Sequence, residues 1–196
     1  MKKKILIGTG NSAKVDQYRK LLEPFKLEVI SAKELNIPAP DENADSFEAE
    51  ALEKAKYYFQ KSGIPTIVDD GGCEIEALNG APGMKSHRFI GREMTDQEVI
   101  DEIFKMMQGQ KNRTAQHRIV MALATPFGVF TSHSEVVGVI PDKPSANRTP
   151  GYPYNSILYF PNHNEYWGDS LAKGDILNHR AHAIEKLHDI LKELEK

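Results

Sequence analysis

The chain has 196 residues, of which 40% are apolar and 27% are charged, and its formal net charge is -3. This apolar content is enough for one compact domain or for two lobes that share one core. A mildly acidic chain lacks the global positive field on which non-specific nucleic-acid binding relies, so we expect no nucleic-acid partner. The single cysteine, Cys73, excludes an intramolecular disulfide, which is typical of proteins from reducing compartments.

The N-terminal segment contains three lysines and then the short apolar run Ile5–Ile7, which we interpret as a first β-strand. The run is too short for the apolar region of a signal peptide, because Gly8 interrupts it and polar Asn11 follows. No stretch approaches the roughly 18 apolar residues that a membrane-spanning helix needs. The sequence therefore predicts a protein with no membrane partner, located in the cytoplasm.

Hydrophobic periodicity and capping residues predict the other elements. In the first half they are a helix from Ala13, with Val15, Tyr18, Leu21 and Leu22 on one face and Pro24 closing it, a strand over Leu27–Ile30, a helix over Phe47–Ser62 capped by Ser46, and a strand over Pro65–Val68 that ends at Asp69-Asp70. In the second half they are a helix from Asp96 to about Met107 with Thr95 and Glu98 as a capping box, strands over Arg118–Ala124, Val129–Ile140 and Ile157–Phe160, and an amphipathic helix over His179–Glu195. Strands that alternate with helices early and pair as hairpins later predict an α/β fold with a mixed sheet.

The loop Thr9–Lys14 joins the first strand to the first helix and could bind an anion. Gly10 allows the backbone to approach a ligand closely, a helix N-terminus attracts negative charge, and Lys14 adds a positive charge. The loop is not a Walker motif, which requires two spaced glycines followed by Lys-Ser or Lys-Thr. On its own, it is also consistent with an ordinary strand-to-helix turn.

Two groups of acids could bind a metal ion. Asp69 and Asp70 follow an apolar strand, where adjacent carboxylates are unfavourable unless a cation lies beside them. Mg²⁺ suits such a position because it binds carboxylate and phosphate oxygens. The loop with Asp41, Glu42 and Asp45 could supply a further ligand. The alternative is that both groups are solvated turns.

Two basic positions could bind an anion. At Asn178-His179-Arg180, which opens the last predicted helix, an anion would meet a helix dipole, a guanidinium and an imidazole together. Lys54 lies on the predicted helix Phe47–Ser62. The alternatives are an exposed first turn and an ordinary solvated lysine.

Taken in order, these segments resemble the inosine triphosphate pyrophosphatase family, and the resemblance spans nearly the whole chain. The matching segments are Thr9–Lys14 (T-G-N-x-x-K in the family), Phe47 with Ala51 and Lys54-Ala55 (F-x-E-N-A-x-x-K-A), Asp69–Gly72 (D-D-S-G-L), Gly80–Gly83 with Ser86–Arg88 (G-G-A-P-G-x-x-S-A-R), Gly151–Asn155 (G-F-G-Y-D) and Asn178–Arg180 (S-H-R). Each match is weak alone, but matches in this order at compatible spacing are hard to obtain by chance.

The resemblance implies an elongated mixed sheet flanked by helices, with an active-site groove between two lobes of a single domain over residues 1–196. It implies a homodimer that uses Mg²⁺ to hydrolyse a nucleoside triphosphate, an aberrant or modified purine nucleotide, to the monophosphate and pyrophosphate. In this reaction water attacks the α-phosphorus, and neutralisation of phosphate charge matters more than covalent catalysis.

The resemblance also implies the roles of individual residues. Glu42 and Asp70 match the magnesium-binding acids, and either Asp69 or Asp70 would orient or deprotonate the attacking water. The residues that would bind the triphosphate are Lys14, Arg180, Thr9, Asn11 and Lys54, the last also counted as catalytic. The residues on the base side are Tyr152, which matches the aromatic that stacks on the base, Asn155 and Lys173. His179 would contact the base or the adjacent phosphates.

Several positions depart from the family pattern. On the base side, Asn155 replaces an aspartate, Pro153 a glycine and Asn178 a serine, and the family lysine falls on Gly174, one position from Lys173. On the phosphate side, Ala49-Glu50 replaces Glu-Asn and Gly71 replaces a serine. The phosphate and metal side is thus largely kept while the base side has changed, and the preferred base and sugar stay open.

Two alternative functions follow from these departures. The first is a pyrophosphatase for a non-purine base on the same scaffold; the related Maf-type enzymes share the general architecture, but their opening S-x-R-R motif is absent. The second is a catalytically weak or inactive nucleotide-binding protein, with Ala49 and Gly71 as signs of decay. The retained Lys54, Asp69 and Asp70 favour an enzyme.

Overall fold

A computed structural model of the chain describes residues 2–86, 88–174 and 178–196. His87, within the predicted Ser86–Arg88 match, lies outside these residues. The strands are β1 (Lys4–Ile7), β2 (Glu28–Ser31), β3 (Thr66–Ile75), β4 (Thr114–Thr125), β5 (Gly128–Val139), β6 (Tyr159–Phe160) and β7 (Glu165–Tyr166). The helices are α1 (Ser12–Leu21), α2 (Phe47–Ser62), α3 (Asp96–Met106), α4 (Trp167–Lys173), α5 (His179–Glu185) and α6 (His188–Leu194). Within the described ranges, no helix combines the length and the apolar character needed to cross a membrane.

The strands form one seven-stranded sheet in the order β2-β1-β3-β4-β5-β6-β7. Strand β1 is parallel to both β2 and β3, whereas β6 is antiparallel to both β5 and β7. Parallel strands need crossover connections, and α1 and α2 lie in the two connections of the parallel part. The prediction of an α/β fold with a mixed sheet is confirmed.

The chain divides into two compact units. The first unit comprises Met1–Asp70, Ile119–Ser134 and Arg180–Lys196, and the second comprises Gly71–Arg118 and Glu135–His179. The predicted single domain over residues 1–196 and the predicted groove between two lobes stay predictions.

The first unit contains two apolar clusters because β1 is buried on both faces. Ile5 and Ile7 pack in one cluster with α1, α5 and α6, whereas Leu6 between them packs in the other with α2. This alternation is expected of a strand, whose successive side chains point to opposite faces. The second unit has its own cluster, in which Ile103 of α3 and Trp167 of α4 are buried.

Two predicted helix caps, Ser46 and Thr95, are confirmed, and the first helix, predicted from Ala13 without a named cap, begins at Ser12 with Asn11 as its cap. The Asn11 side chain accepts hydrogen bonds from the backbone N–H groups of Ala13 and Lys14, so α1 begins at the end of the glycine loop. Ser46 caps α2, which spans the predicted residues and ends at Gly63 in the left-handed conformation, with φ of 68°. Thr95 and Glu98 form the predicted capping box of α3. These caps determine where Lys14 and Lys54 stand on their helices.

The predicted strand end at Asp69-Asp70 is wrong. Strand β3 continues through both acids and both glycines as far as Ile75. Adjacent glycines usually indicate a turn, but here Gly72 allows the backbone of Gly83 to pass close to the strand. A Cβ atom on Gly72 would lie 2.2 Å from the carbonyl oxygen of Gly83. The two acids are therefore interior residues of a strand.

The single C-terminal helix predicted over His179–Glu195 is also wrong, because the chain forms two helices there. At the break, the Leu187 N–H donates to the carbonyl of Ile184 at 2.9 Å, a hydrogen bond over three residues that tightens the turn. The predicted apolar face is nevertheless buried, since Ala183, Leu187 and Leu194 all lie in the first-unit core. The short strand β7 and the helix α4 were not predicted.

Candidate active site

The loop between β1 and α1 follows a close contact with the core of the first unit. A Cβ atom on Gly8 would lie 2.5 Å from the ring of Tyr58 and 2.7 Å from Val68, so only glycine fits there. The Asn11 N–H donates to the Thr9 hydroxyl at 3.2 Å, and the Asn11 carboxamide oxygen caps α1. Thr9 and Asn11 thus shape the loop that leads into Lys14.

Asp69 and Asp70 are consecutive residues of a strand, so their side chains leave opposite faces of the sheet. Ile67, two residues before Asp69, packs with α1, and Val68, two residues before Asp70, packs with α2. The two carboxylates therefore lie in different environments within the first unit.

Asp69 is the centre of a cluster that we call the Asp69 cluster, made of Lys14, Tyr18, Asp69 and Arg180. Its Oδ2 atom accepts hydrogen bonds from Lys14 Nζ and from Arg180 Nη2, each at 3.0 Å. Its Oδ1 atom accepts from the Tyr18 hydroxyl at 2.9 Å. The side chain of Lys14 is 23% exposed whereas that of Arg180 is 6% exposed, so Lys14 is the cation with access to solvent.

The charges of this cluster keep Asp69 ionised. Burial alone would raise the pKa of its carboxyl, but the positive charges of Arg180 and Lys14 hold that pKa far below its usual range. Burial and the Asp69 charge raise the pKa of Tyr18 well above its ordinary value, so its hydroxyl stays protonated and donates. Asp69 is thus a fixed anion with a donor on each oxygen and makes a poor general base.

Asp70 belongs to a second cluster, which we call the Lys54 cluster, made of Glu42, Glu50, Lys54 and Asp70. Lys54 Nζ lies 2.6 Å from Glu42 Oε1, 3.3 Å from Glu50 Oε1 and 3.4 Å from Asp70 Oδ1. Glu50 is buried, and its second oxygen accepts from the backbone N–H of Ala44, at the end of the acidic loop. Three carboxylates thus surround one ammonium.

The titration of Asp70 differs from that of Asp69. Burial raises the pKa of Asp70 to about 6, and the nearby charges of Lys54 and Lys14 only partly oppose this. Burial alone would lower the pKa of Lys54, but its hydrogen bond to Glu42 and the surrounding carboxylates raise it instead. Lys54 is therefore a charged ammonium at neutral pH, and Asp70 is a carboxyl that can exchange a proton near neutrality.

The donor set of the Lys54 cluster fits Mg²⁺. Among the described residues, no group of three or more acidic, histidine or cysteine side chains could hold a metal ion. Mg²⁺ at nucleotide sites usually takes one or two carboxylates and completes its shell with phosphate oxygens and water. Glu42 and Asp70 already converge on one cation, the ammonium of Lys54, so they could supply the two carboxylates.

The predicted base-side residues lie in the second unit. Tyr152 precedes the short 3-10 helix Pro153–Ser156, which contains Asn155 in buried surroundings. A Cβ atom on Gly168 would lie 3.2 Å from both Cβ and the carbonyl oxygen of Asn155, so the start of α4 packs directly on it. Asn155 is thus a buried residue whose Cβ and backbone lie against α4.

His179 and Lys173 differ in their surroundings. The His179 ring is fully buried, with its centroid 4.8 Å from that of Trp167 and 5.1 Å from that of His117. The Lys173 side chain is 66% exposed, and its Nζ lies 2.5 Å from Glu165 Oε2. Lys173 lines a cavity of about 1000 Å³ walled by Tyr159 and Tyr166, and Asn155 is not among its described lining residues. Lys173 is thus an exposed lysine paired with Glu165 at the rim of this cavity, whereas His179 is an interior residue.

A family model described as the Ham1 family matches residues 5–190. The chain belongs to the Ham1 family. It is 33% identical over 193 residues to a Haemophilus influenzae protein named dITP/XTP pyrophosphatase, covering 95% of this chain and 98% of the relative. A HAM1 protein from Coxiella burnetii has a similar structure, with a TM-score of 0.85 and 28% identity over 97% of this chain and 99% of that one. The Staphylococcus aureus Ham1 protein is also similar, with a TM-score of 0.83 and 26% identity over the same shares. These matches confirm the resemblance and the fold class.

In this Ham1-family chain, Thr9 and Asn11 shape the loop before α1, and the other predicted site residues fall into three groups. Lys14, Asp69 and Arg180 meet in the Asp69 cluster, and Glu42, Lys54 and Asp70 meet in the Lys54 cluster. The residues Tyr152, Asn155, Lys173 and His179 lie in the second unit. The clusters are formed by residues far apart in sequence, so their convergence is a property of the fold.

Two members of these clusters in the Ham1-family chain, Glu50 and Tyr18, were not predicted as site residues, and neither was Gln17, which accepts a hydrogen bond from Arg180. Glu50 stands four residues before Lys54 on α2, the spacing of a helical ion pair, which could have indicated it. Tyr18 and Gln17 follow Lys14 at the spacing of neighbours on one helix face. Tyr18 was predicted only as part of an apolar face, and no local pattern points to its distant partner Asp69.

Proposed function

We propose that this chain is a magnesium-dependent nucleoside triphosphate pyrophosphatase that releases pyrophosphate and leaves the nucleoside monophosphate. Membership of the Ham1 family, whose curated relatives are named dITP/XTP pyrophosphatases, supports a hydrolase acting on nucleoside triphosphates. An aberrant or modified purine nucleotide is the proposed substrate class. The homodimer implied by the resemblance and the cytoplasmic location predicted from the sequence belong to the same proposal.

One observation supports the chemistry most strongly, namely that adjacent acids on β3 each contact a lysine. Asp69 contacts Lys14, and Asp70 contacts Lys54, which also contacts Glu42. Cleavage of a triphosphate requires that the charge on the phosphates be neutralised by metal ions and basic side chains. Carboxylates that can take a metal ion and ammonium groups that can take phosphate oxygens are both present in the first unit.

The phosphate-binding role is assigned to side chains that differ in their exposure to solvent. Lys14 is partly exposed at the N-terminal end of α1, where the loop Thr9–Asn11 also presents backbone to an anion. Lys54 is charged and adjacent to both acids that would hold the ion. Arg180 is buried on Asp69 and on Gln17, so we assign it mainly to keeping the Asp69 cluster electropositive.

The metal-binding role is assigned to Glu42 and Asp70. When bound, Mg²⁺ would neutralise phosphate charge and lower the pKa of a bound water. Asp70 is also the stronger candidate for orienting or deprotonating the attacking water, because Asp69 already accepts three hydrogen bonds.

The base-binding role is assigned to Tyr152 for stacking, with Asn155, His179 and Lys173 as further candidates. Asn155 offers both a donor and an acceptor, whereas an ionised aspartate in its place would only accept. Gly168 packs against the Cβ and the backbone of Asn155, so the main chain that carries this amide lies against the start of α4. The Lys173 side chain is 66% exposed and paired with Glu165, which supports a base site that differs from the one implied by the resemblance.

Pyrophosphate release from a triphosphate panel tests the proposal. The panel contains inosine, xanthosine, adenosine, guanosine and pyrimidine triphosphates and several modified bases, each with and without Mg²⁺. We expect Mg²⁺-dependent release of equal amounts of monophosphate and pyrophosphate from at least one purine nucleotide, and loss of release on adding a chelator. Binding of a triphosphate without turnover would instead indicate an inactive nucleotide-binding protein, and turnover restricted to pyrimidines would indicate the non-purine alternative.

A further inference from the structure

Helix α1 presents three polar side chains to the pair formed by Asp69 and Arg180. Lys14, Gln17 and Tyr18 are spaced by three and four residues, so they lie on one face of the helix. Lys14 and Tyr18 each donate to Asp69, and Gln17 accepts from Arg180 Nη1 at 3.1 Å. One helix face therefore contacts both members of the buried ion pair.

Tyr18 differs from the other donors in the cluster because it is neutral. Its ring is fully buried in the first-unit core, and its hydroxyl donates to Asp69 Oδ1 at 2.9 Å. The two cations, Lys14 and Arg180, share the other oxygen, Oδ2. A neutral donor satisfies Oδ1 without adding charge, so the cluster of two cations and one anion keeps one net positive charge.

We propose that Tyr18 is a positioning residue for phosphate binding: its hydroxyl fixes the Asp69 carboxylate so that Lys14 meets only Oδ2 and keeps its partly exposed ammonium available to the triphosphate. This inference rests on the proposed function. It adds a residue for which the sequence indicates only a place in the core.

Without the Tyr18 hydroxyl, Asp69 Oδ1 would lose its hydrogen-bond donor. A buried carboxylate oxygen that loses its donor is strongly disfavoured, so the carboxylate must turn or draw another donor. Arg180 is buried and also fixed by Gln17, whereas Lys14 is the more exposed and more flexible group. Lys14 is therefore the group that would move onto Oδ1, away from the position from which it can reach a phosphate.

The substitution Tyr18→Phe tests this because it keeps the ring and removes only the hydroxyl. We expect the affinity for inorganic tripolyphosphate with Mg²⁺, measured by calorimetry, to fall about tenfold, which corresponds to one charge-assisted hydrogen bond. The KM of the triphosphate substrate should rise by the same factor while kcat changes less than about twofold. Tyr57→Phe, which removes a phenol hydroxyl from α2 in the same unit, is the matched control and should leave both quantities unchanged.

A double-mutant cycle with Lys14→Ala separates positioning from a general effect on the fold. If Tyr18 acts through Lys14, Tyr18→Phe has no further effect on tripolyphosphate affinity once Lys14 is replaced. The proposal is overturned if Tyr18→Phe lowers tripolyphosphate affinity equally in the wild type and in Lys14→Ala. It is also overturned if Tyr18→Phe has wild-type affinity and wild-type KM.

A second measurement does not require the phenylalanine variant to fold. With 3-fluorotyrosine at position 18, the ¹⁹F resonance should shift on adding tripolyphosphate with Mg²⁺ in the otherwise unchanged protein and not in Lys14→Ala. The absence of a shift would also overturn the proposal. A wild-type protein that neither binds tripolyphosphate nor releases pyrophosphate would overturn the proposed function and the Tyr18 proposal together. If the wild type is active and Tyr18→Phe has the same tripolyphosphate affinity and KM as the wild type, only the Tyr18 proposal is overturned.

Discussion

Lys54 Nζ lies 2.6 Å from Oε1 of Glu42, although the lysine is on α2 and the glutamate is in the acidic loop before it. The Glu42 side chain is 47% exposed, and the same ammonium contacts Asp70 on β3. The acidic loop is thus tied to the strand acids through one lysine. This relationship favours a functional loop over a merely solvated one, and it selects Glu42 among the three acids of that loop.

We expect Asp70→Asn and Glu42→Gln to lose most of the Mg²⁺-dependent turnover, because each removes one of the two carboxylates proposed for the ion. Initial rates across a Mg²⁺ titration would show a raised Mg²⁺ requirement in both variants. Asp41→Asn, an exposed acid in the same loop, is the control and should behave as wild type. Wild-type turnover in Asp70→Asn at low Mg²⁺ would contradict the metal assignment.

Asp70 should also make the stability of the metal-free protein depend on pH. Its folded-state pKa of about 6 lies above the usual range of an aspartate, so ionisation opposes folding above pH 6, and this penalty fades as the carboxyl becomes protonated at lower pH. Asp70→Asn should therefore stabilise the chelated protein by about 1–3 kcal/mol at pH 8, and the gain should shrink towards zero at about pH 4. Thermal melts at the two pH values measure this, with Asp45→Asn as an exposed control. A lower Tm for Asp70→Asn at pH 8 would refute it.

Replacing either phosphate-facing lysine should weaken substrate binding. Charge-assisted contacts contribute roughly 1.5–3 kcal/mol each, so Lys14→Ala and Lys54→Ala should raise KM about ten- to a hundredfold. Lys56→Ala, an exposed lysine on α2, is the control for a general change of charge. An unchanged KM in Lys14→Ala would remove that residue from the phosphate site.

Arg180 should contribute more to stability than Lys14 does. Its side chain is 6% exposed and its guanidinium contacts Asp69, so Arg180→Ala leaves a buried carboxylate with one cation fewer. Losing one partner of a buried ion pair typically lowers the free energy of unfolding by about 3–5 kcal/mol. Replacing Lys14, which is more exposed, should lower it less. Urea unfolding of the two alanine variants would compare them. A smaller loss for Arg180→Ala than for Lys14→Ala would show that our ranking is wrong.

The base preference should be weaker than the resemblance alone implies. With Asn155 in place of an aspartate and Lys173 paired with Glu165, we expect the kcat/KM of inosine triphosphate to exceed that of adenosine triphosphate by less than about a hundredfold. Asn155→Asp, which restores the acceptor-only group, should increase that ratio. A ratio above about a hundredfold in the wild type would show that the base site retains its selectivity despite these changes.

Local patterns predicted the elements whose signals lie within a few residues. The predicted caps at Ser46 and Thr95 are side chains that bond their own helix, so the sequence contains both partners. The Gly71-Gly72 pair misled the strand prediction because its cause, the approach of Gly83, lies eleven residues beyond Gly72 and is tertiary.

The candidate site was predicted residue by residue but not as two clusters. The resemblance indicated Lys14, Asp69 and Asp70, yet it left the roles of the two acids open. Their separation follows from the extended conformation of β3, and the involvement of Tyr18 follows from a contact across 51 residues. The sequence pattern predicts neither feature, because it indicates a strand end at Asp69-Asp70 and only an apolar helix face at Tyr18.

The strand conformation of Asp69 and Asp70 also limits how the chain can change in length. Because neighbouring residues of a strand alternate between faces, a single-residue insertion or deletion between Thr66 and Val68 would exchange the surroundings of the two acids. The acid beside Arg180 would then face α2, and the acid beside Lys54 would face α1. The two aspartates therefore have different roles although their side chains are identical. The register of β3, and not their chemistry, determines which of them faces Arg180 and which faces Lys54.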